Sequence, residues 1–122
     1  MDYLAILKSI RPKKRLGQNF LINSRIAELE ASYGAGRCVL ELGPGTGILT
    51  NELCKVAKSV IAVEKDPALY SLLESNMQCK KLKLIKGDFF KLDDKQIEGV
   101  EILIANIPYN LSSKMIEWLS LH

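Results

Sequence analysis

One turn constrains this chain more than any other feature: Gly43-Pro44-Gly45-Thr46-Gly47, set between the apolar run Cys38-Val39-Leu40-Glu41-Leu42 and an amphipathic stretch from Ile48 to Ala57. Its glycines let the backbone take positive φ and approach a bound group closely. A strand that runs through such a turn into a helix begins a βαβ unit, and βαβ units build parallel sheets. In open sheets of that kind, ligands bind beyond the carboxyl ends of the strands. The turn therefore sets a fold class and also the edge at which to look for chemistry.

The rest of the chain repeats the alternation. Ser59 to Val63 reads as a second strand. Asp66 then caps a helix with Pro67 at its first position, and Leu69, Leu72, Leu73 and Met77 are expected on its buried face. Leu82 to Ile85 is a third strand ending in Gly87-Asp88. Phe89 to Gly99 is a loop or short helix, and Glu101 to Ala105 a fourth strand. Upstream, Ser24 can cap a helix carrying Ile26, Ala27, Leu29 and Glu30 that stops at Gly34 or Gly36; Leu49, Leu53 and Val56 share a face of the helix after the turn. Tyr3, Leu4, Ile6, Leu7 and Ile10 fall at helical spacing, so a short N-terminal helix is expected before Pro12 and Gly17. A last helix opens at Ser112 or Ser113 and holds Met115, Ile116 and Leu119. The expected fold is α/β, a parallel sheet with flanking helices. The fourth strand is apolar and few charges guard it, so it reads as an open edge of an incomplete sheet, at which the chain would pair with a copy of itself.

A length of 122 residues, 48% hydrophobic and 25% charged, bounds the chain to one small globular domain at most. No apolar stretch is long enough to span a bilayer, and Met1-Asp2-Tyr3 does not open a signal peptide, so a cytoplasmic protein is the expectation. Cys38, Cys54 and Cys79 form no CxxC pair and make no metal signature with the lone His122. The net charge of +3 is uneven: residues 1–37 hold seven Lys/Arg against three acids, whereas the remainder holds ten against eleven. The basic focus is Arg11-Pro12-Lys13-Lys14-Arg15, either a solvated run or a phosphate-binding arm.

Each expected strand ends in polar chemistry. Glu64 follows the glycine turn by about twenty residues, where a carboxylate can accept both hydroxyls of an adenosine ribose. The dinucleotide pattern G-x-G-x-x-G/A would need Gly or Ala at Ile48, and no GK[ST] ending follows, so a smaller adenosine cofactor fits better. Asp88 can accept from an adenine amine, with Phe89 covering the base; an ordinary Gly-Asp turn is the plainer reading. The fourth strand runs into Asn106-Ile107-Pro108-Tyr109. Asn106 offers an uncharged acceptor, Pro108 biases Ile107 toward an extended backbone that presents its carbonyl, and Tyr109 offers a stacking face. Together they suit holding a flat amine-bearing ring; a strand-end turn with a surface Tyr is the alternative.

The segments Lys14-Arg15-Leu16-Gly17-Gln18-Asn19-Phe20-Leu21, Leu40 to Gly47, Val63-Glu64-Lys65-Asp66, Gly87-Asp88-Phe89 and Asn106 to Asn110 resemble the ribosomal RNA adenine dimethyltransferases of the KsgA type, with the erythromycin-resistance methyltransferases as relatives. The resemblance runs from about Lys13 to the end, and the Gly17 to Leu21 segment makes it specific. It implies a Rossmann-like class I methyltransferase fold and S-adenosylmethionine as cofactor. Asn19 and Leu21 would contact the cofactor from the arm, Gly43 and Gly45 would lie against its methionine portion, Glu64 would hold the ribose, and Asp88 with Phe89 the adenine. Asn106 and the Ile107 carbonyl would hold the target amine, with Pro108 between them and Tyr109, which would stack on the target base. Lys13, Lys14 and Arg15 would bind RNA. Residues 1–22 then form a basic arm and 23–122 an incomplete cofactor-binding part, with the family's further strands and its C-terminal helical RNA-binding domain absent. The expected partner is small-subunit ribosomal RNA, with no metal and no membrane. A non-catalytic ribosome-assembly factor, a cofactor-binding fragment without turnover, and an adenine DNA or protein glutamine methyltransferase stay open as alternatives.

Overall fold

Short runs of β-branched and leucine residues, each bounded by glycine, polar caps or turns, give a five-stranded parallel sheet. The computed structural model describes residues 5–8 and 24–105. In chain order the elements are β1 (Ala5–Lys8), α1 (Ser24–Ser32), β2 (Cys38–Leu42), α2 (Ile48–Val56), β3 (Ser59–Glu64), α3 (Pro67–Asn76), β4 (Leu82–Lys86), a 3-10 turn at Phe89–Lys91, and β5 (Ile102–Ala105). The strands lie in the order β1-β5-β2-β3-β4, and every pairing is parallel. This agrees with the α/β class expected from the alternation.

The strand period of two divides the core into two layers. Val39, Val60, Ile102 and Ile104 face Ala27 and Ala31 of α1, Leu49 and Leu53 of α2, and Ala57. Small residues at Ala27 and Ala31 let α1 come close. Gly34, just beyond α1, has no room for a Cβ, which would stand 2.7 Å from Val39 Cγ2. On the opposite face Leu40, Leu42, Val63, Leu103 and Ala105 pack under Leu92, Ile97 and Val100 of the β4–β5 connection. No helix forms in that connection beyond the 3-10 turn. Leu92, Ile97 and Val100 are buried there, with Phe89 and Phe90 packed against the same cluster.

Two expectations are corrected. The N-terminal stretch forms strand β1 rather than a helix over Ala5–Lys8. Apolar spacing in so short a run fits either element, and tertiary pairing decides. In consequence β5 is no edge. It pairs with β1 on one side, Ala5 level with Ile102, and with β2 on the other. Self-pairing through that strand therefore has no open backbone to use. Among the described strands the edges are β1 and β4, and β4 carries exposed Lys83 and Lys86, charges of the kind that blunt an edge.

Helix faces are also narrower than expected. Leu73 is the buried residue of α3, while Leu72 is 48% exposed. Val56 and Leu29 likewise face outward, and Ala57, Ala27 and Ala31 fill the places next to the sheet. The expected last helix and Asn106-Ile107-Pro108-Tyr109 lie outside the described residues, as do Asn19, Leu21, Lys13, Lys14 and Arg15.

Candidate cofactor-binding site

Three strand ends meet in one bonded edge. At the end of β2 the chain turns through Gly43, Gly45 and Gly47 at φ 69°, 58° and 88°, a region that suits glycine. The Gly43 N–H donates to the Val63 carbonyl at 3.1 Å, which carries the β2–β3 ladder into the turn. The Gly47 N–H donates to the Pro44 carbonyl at 2.9 Å, and the Gly47 carbonyl accepts from Asn51 at 2.8 Å, which opens α2. The Gly87 N–H donates to the Glu64 carbonyl at 3.0 Å and brings in the end of β4.

Glu64 ends β3 and is 6% exposed. Its Oε1 accepts the Gly45 N–H at 3.2 Å, and its Oε2 accepts the Asp66 N–H at 2.9 Å. One side chain thus holds the glycine turn to the start of α3. Asp66 caps that helix, its Oδ1 accepting from Ala68 at 2.8 Å and Leu69 at 3.2 Å. Asp88 accepts the Phe90 N–H at 3.0 Å through Oδ1, fixing the 3-10 turn that follows. Phe89 and Phe90 contact each other at 3.9 Å between ring centroids and lean, half-buried, on the back-face core.

The geometry therefore brings together Gly43, Gly45, Glu64 and Asp88, as their spacing predicts. Leu42 is level with Ala105 in the sheet, so β5 ends at the same edge as the glycine turn. Two further polar residues flank the turn in sequence, Glu41 within the Leu40 to Gly47 segment and Thr50 outside every motif quoted above. Glu41, on β2, is 2% exposed, and Thr50, in the first turn of α2, is fully buried. The Thr50 hydroxyl donates to Glu41 Oε1 at 2.5 Å. Burial pushes the Glu41 carboxyl up to about 8, against the Thr50 hydroxyl bond and with added repulsion from Glu30 and Glu64. The available signal was an acid inside an otherwise apolar strand.

The residues fit an adenosyl cofactor. An ionised carboxylate has about four acceptor positions, and Glu64 uses two of them on backbone N–H groups. Two are left, the number a ribose diol requires. Gly87 stands at φ 152° with open space where a side chain would be, next to Asp88. Among the described residues there is no cluster of His, Cys, Asp and Glu that could hold a metal ion, and no helix long and apolar enough to cross a membrane.

Comparison with known proteins agrees with this architecture. Residues 10–121 match the family model described as ribosomal RNA adenine dimethylase. The chain is 38% identical over 122 residues to ribosomal RNA small subunit methyltransferase A of a Sulfurihydrogenibium species, an alignment covering 90% of this chain and 46% of that protein. Among solved structures it is similar to a dimethyladenosine transferase from Plasmodium falciparum, at TM-score 0.70 and 32% identity, over 84% of this chain and 38% of that one. It is also similar to the 23S rRNA methyltransferase ErmE, at TM-score 0.68 and 30% identity, over 81% of this chain and 41% of that one. The chain spans less than half the length of these relatives. With its sheet, its glycine turn and a match over nearly its whole length, the chain belongs to the ribosomal RNA adenine dimethylase family.

Proposed function

We propose that this chain forms the cofactor-binding part of an enzyme that methylates the exocyclic amine of adenine in small-subunit ribosomal RNA, using S-adenosylmethionine. The observation that carries the reading is the bonded edge at which Glu64 holds Gly45 while Ala105 ends level with Leu42. A carboxylate and a bare glycine backbone then meet at one edge, the edge at which β5 ends. Family membership and relatives named as methyltransferases of ribosomal RNA support the substrate class.

The cofactor, when bound, supplies an electrophilic methyl on a sulfonium. Glu64 would accept the ribose hydroxyls and Asp88 the adenine amine beside Phe89, the backbone at Gly43 and Gly45 would admit the methionine portion, and Asn19 and Leu21 would contribute contacts from the arm. The target amine is a poor nucleophile because its lone pair is delocalised into the ring. Asn106 and the Ile107 carbonyl accept its two hydrogens, favour a pyramidal nitrogen, and stabilise the positive charge that grows there. By its ring Pro108 would bias Ile107 toward an extended backbone, and Tyr109 would stack on the base. Such positioning lowers the barrier by several kcal/mol on the order of known orientation effects. The methylated amine then loses its proton to water, so no strong base is required. The base must leave its stack to be reached, which favours loops and single strands of RNA.

Calorimetric titration with S-adenosylmethionine tests the site. Glu64→Ala is expected to lose about 1–3 kcal/mol of binding, the range for a charge-assisted hydrogen bond. Undiminished affinity in a folded variant would remove Glu64 from the site. Methyl transfer to small-subunit RNA, measured in parallel, separates turnover from cofactor binding alone. For the arm, neutralising Lys13, Lys14 and Arg15 together should weaken RNA binding and reduce its slope against log salt by up to about three. An unaltered slope would assign RNA affinity to other residues.

A further inference from the structure

Cys54 lies in α2 and Cys79 in the connection from α3 to β4, and their thiols share a hydrogen bond. The connection is braced around Cys79. At its start the Met77 N–H donates to the Leu73 carbonyl at 2.9 Å. At its end the Lys81 ammonium donates to the Ala57 carbonyl at 2.8 Å, just beyond α2, and the Lys81 carbonyl accepts the Val60 N–H at 3.0 Å. The Cys79 carbonyl accepts from Leu82 at 3.2 Å. Cys54 leans on the core layer built from Val39, Val60 and Ile102, and both cysteines are half-buried. A free cysteine inside a protein usually serves as a small hydrophobe. Two thiols held against each other from separate elements can do more, because they are placed to form a disulfide.

We propose that Cys54 and Cys79 are a reversible dithiol: oxidised, they form a disulfide that clamps the glycine turn by fixing α2 to the segment that covers Gly47. Met77 supplies the cover. A Cβ at Gly47 would overlap Met77 Cε, so that side chain lies directly over the glycine. Cys79 follows Met77 by two residues, and Cys54 stands about two helical turns beyond Gly47. A covalent bond between the two sulfurs would close a ring of backbone that contains both the end of the turn and its cover. The inference goes beyond the proposed methyl transfer and does not depend on what the turn binds.

Burial, and then the bond to Cys79, push the Cys54 thiol up to about 12, with the Lys81 ammonium acting the other way. Cys54 is therefore the slower nucleophile, and exchange with a small disulfide such as oxidised glutathione starts at Cys79. The Cys79 thiolate attacks one sulfur of the reagent, the reagent's S–S bond breaks, and one glutathione leaves. Cys54 then gives up its proton and attacks Cys79 Sγ, and the second glutathione leaves. The chain loses two electrons and two protons, which the reagent takes up as two thiols. A dithiol reductant reverses both steps.

Treat the folded 122-residue chain with oxidised glutathione, map the product by peptide mass, and compare amide hydrogen exchange by NMR before oxidation, after it, and after dithiothreitol. The oxidised chain should be lighter by two hydrogens, with Cys54 linked to Cys79 and Cys38 still a free thiol. The amides of Gly47 and Asn51, which close the turn onto α2, should exchange at least about threefold more slowly in the oxidised chain. The amide of Gln96, in the β4–β5 connection, should stay within about twofold, and dithiothreitol should restore the first rates. Cys38→Ser should keep this response, and Cys79→Ser should lose it. A chain that ends as a glutathione adduct, or that links Cys38, overturns the dithiol. A Cys54–Cys79 disulfide that leaves Gly47 and Asn51 unchanged, or that slows Gln96 equally, overturns the clamp. If Cys79→Ser does not fold, the oxidised and reduced forms of the wild type still decide.

Discussion

Gly47 resists replacement on two counts. It stands at φ 88°, and a Cβ there would overlap Met77 Cε and Leu73 Cδ2. Gly36 also has a positive φ, 71°, but open space around it. The contrast separates two costs that glycine substitutions usually mix. Gly36→Ala should lose only the left-handed backbone penalty, about 1–2 kcal/mol. Gly47→Ala adds overpacking and should lose about 2–4 kcal/mol. Urea unfolding of both variants checks the order, and equal losses would show that the Met77 contact yields freely. At this scale the sequence was legible where a residue type has one use. Glycines beside a strand and an acid at the next strand end announced Gly43, Gly45 and Glu64. Glu64's second task, holding Gly45 and Asp66 by their N–H groups, was hidden because it depends on how close two loops pass.

Among the elements, α3 has the plainest local instructions: Asp66 as cap, Pro67 at its first position, Leu73 into the core. Asp66→Ala should cost about 0.5–2 kcal/mol of stability. Its effect on the edge should be small, because Glu64 holds the Asp66 backbone N–H rather than its side chain. Thermal unfolding reads the first, and cofactor titration reads the second. A large loss of affinity would mean that the cap and the turn are coupled. The elements β2, α2, β3, α3 and β4 could be read because their periods, caps and glycines agree. Residues Ala5–Lys8 could not, since Ile6 and Leu7 satisfy a helix or a strand alike and their partner lies far along the chain. The outward turn of Leu29, Val56 and Leu72 was likewise not legible. Leucine spacing marks a helix face, but only the neighbouring layers determine how wide a strip of it is covered.

For the whole molecule, β1 decides whether β5 is closed. Replacing both Ile6 and Leu7 by Pro removes the backbone donors of β1 on either side of the strand. The apolar strand β5 would then present an unpaired edge. Sedimentation should find the wild type monomeric and the double variant in dimers or larger species. A monomeric double variant would mean that β5 tolerates exposure. On the back face, Leu92, Ile97 and Val100 of the β4–β5 connection pack against Leu40, Leu42 and Leu103.

The pairing of β1 with β5 also orders events in time. Ala5 and Ile102 are about a hundred residues apart in sequence, and a ribosome adds about 5–20 residues per second. β1 therefore waits about 5–20 seconds for its only partner among the described strands to be synthesised. The rest of the sheet can form from β2, β3 and β4 during that delay, because each of those strands follows its neighbour closely. Insertion of β5 beside β2, and the arrival of β1 against it, are then the late steps. Long-range pairings of this kind are slow. During the interval β1 has no partner among the described strands, and its vulnerability to mispairing belongs to synthesis rather than to the finished protein.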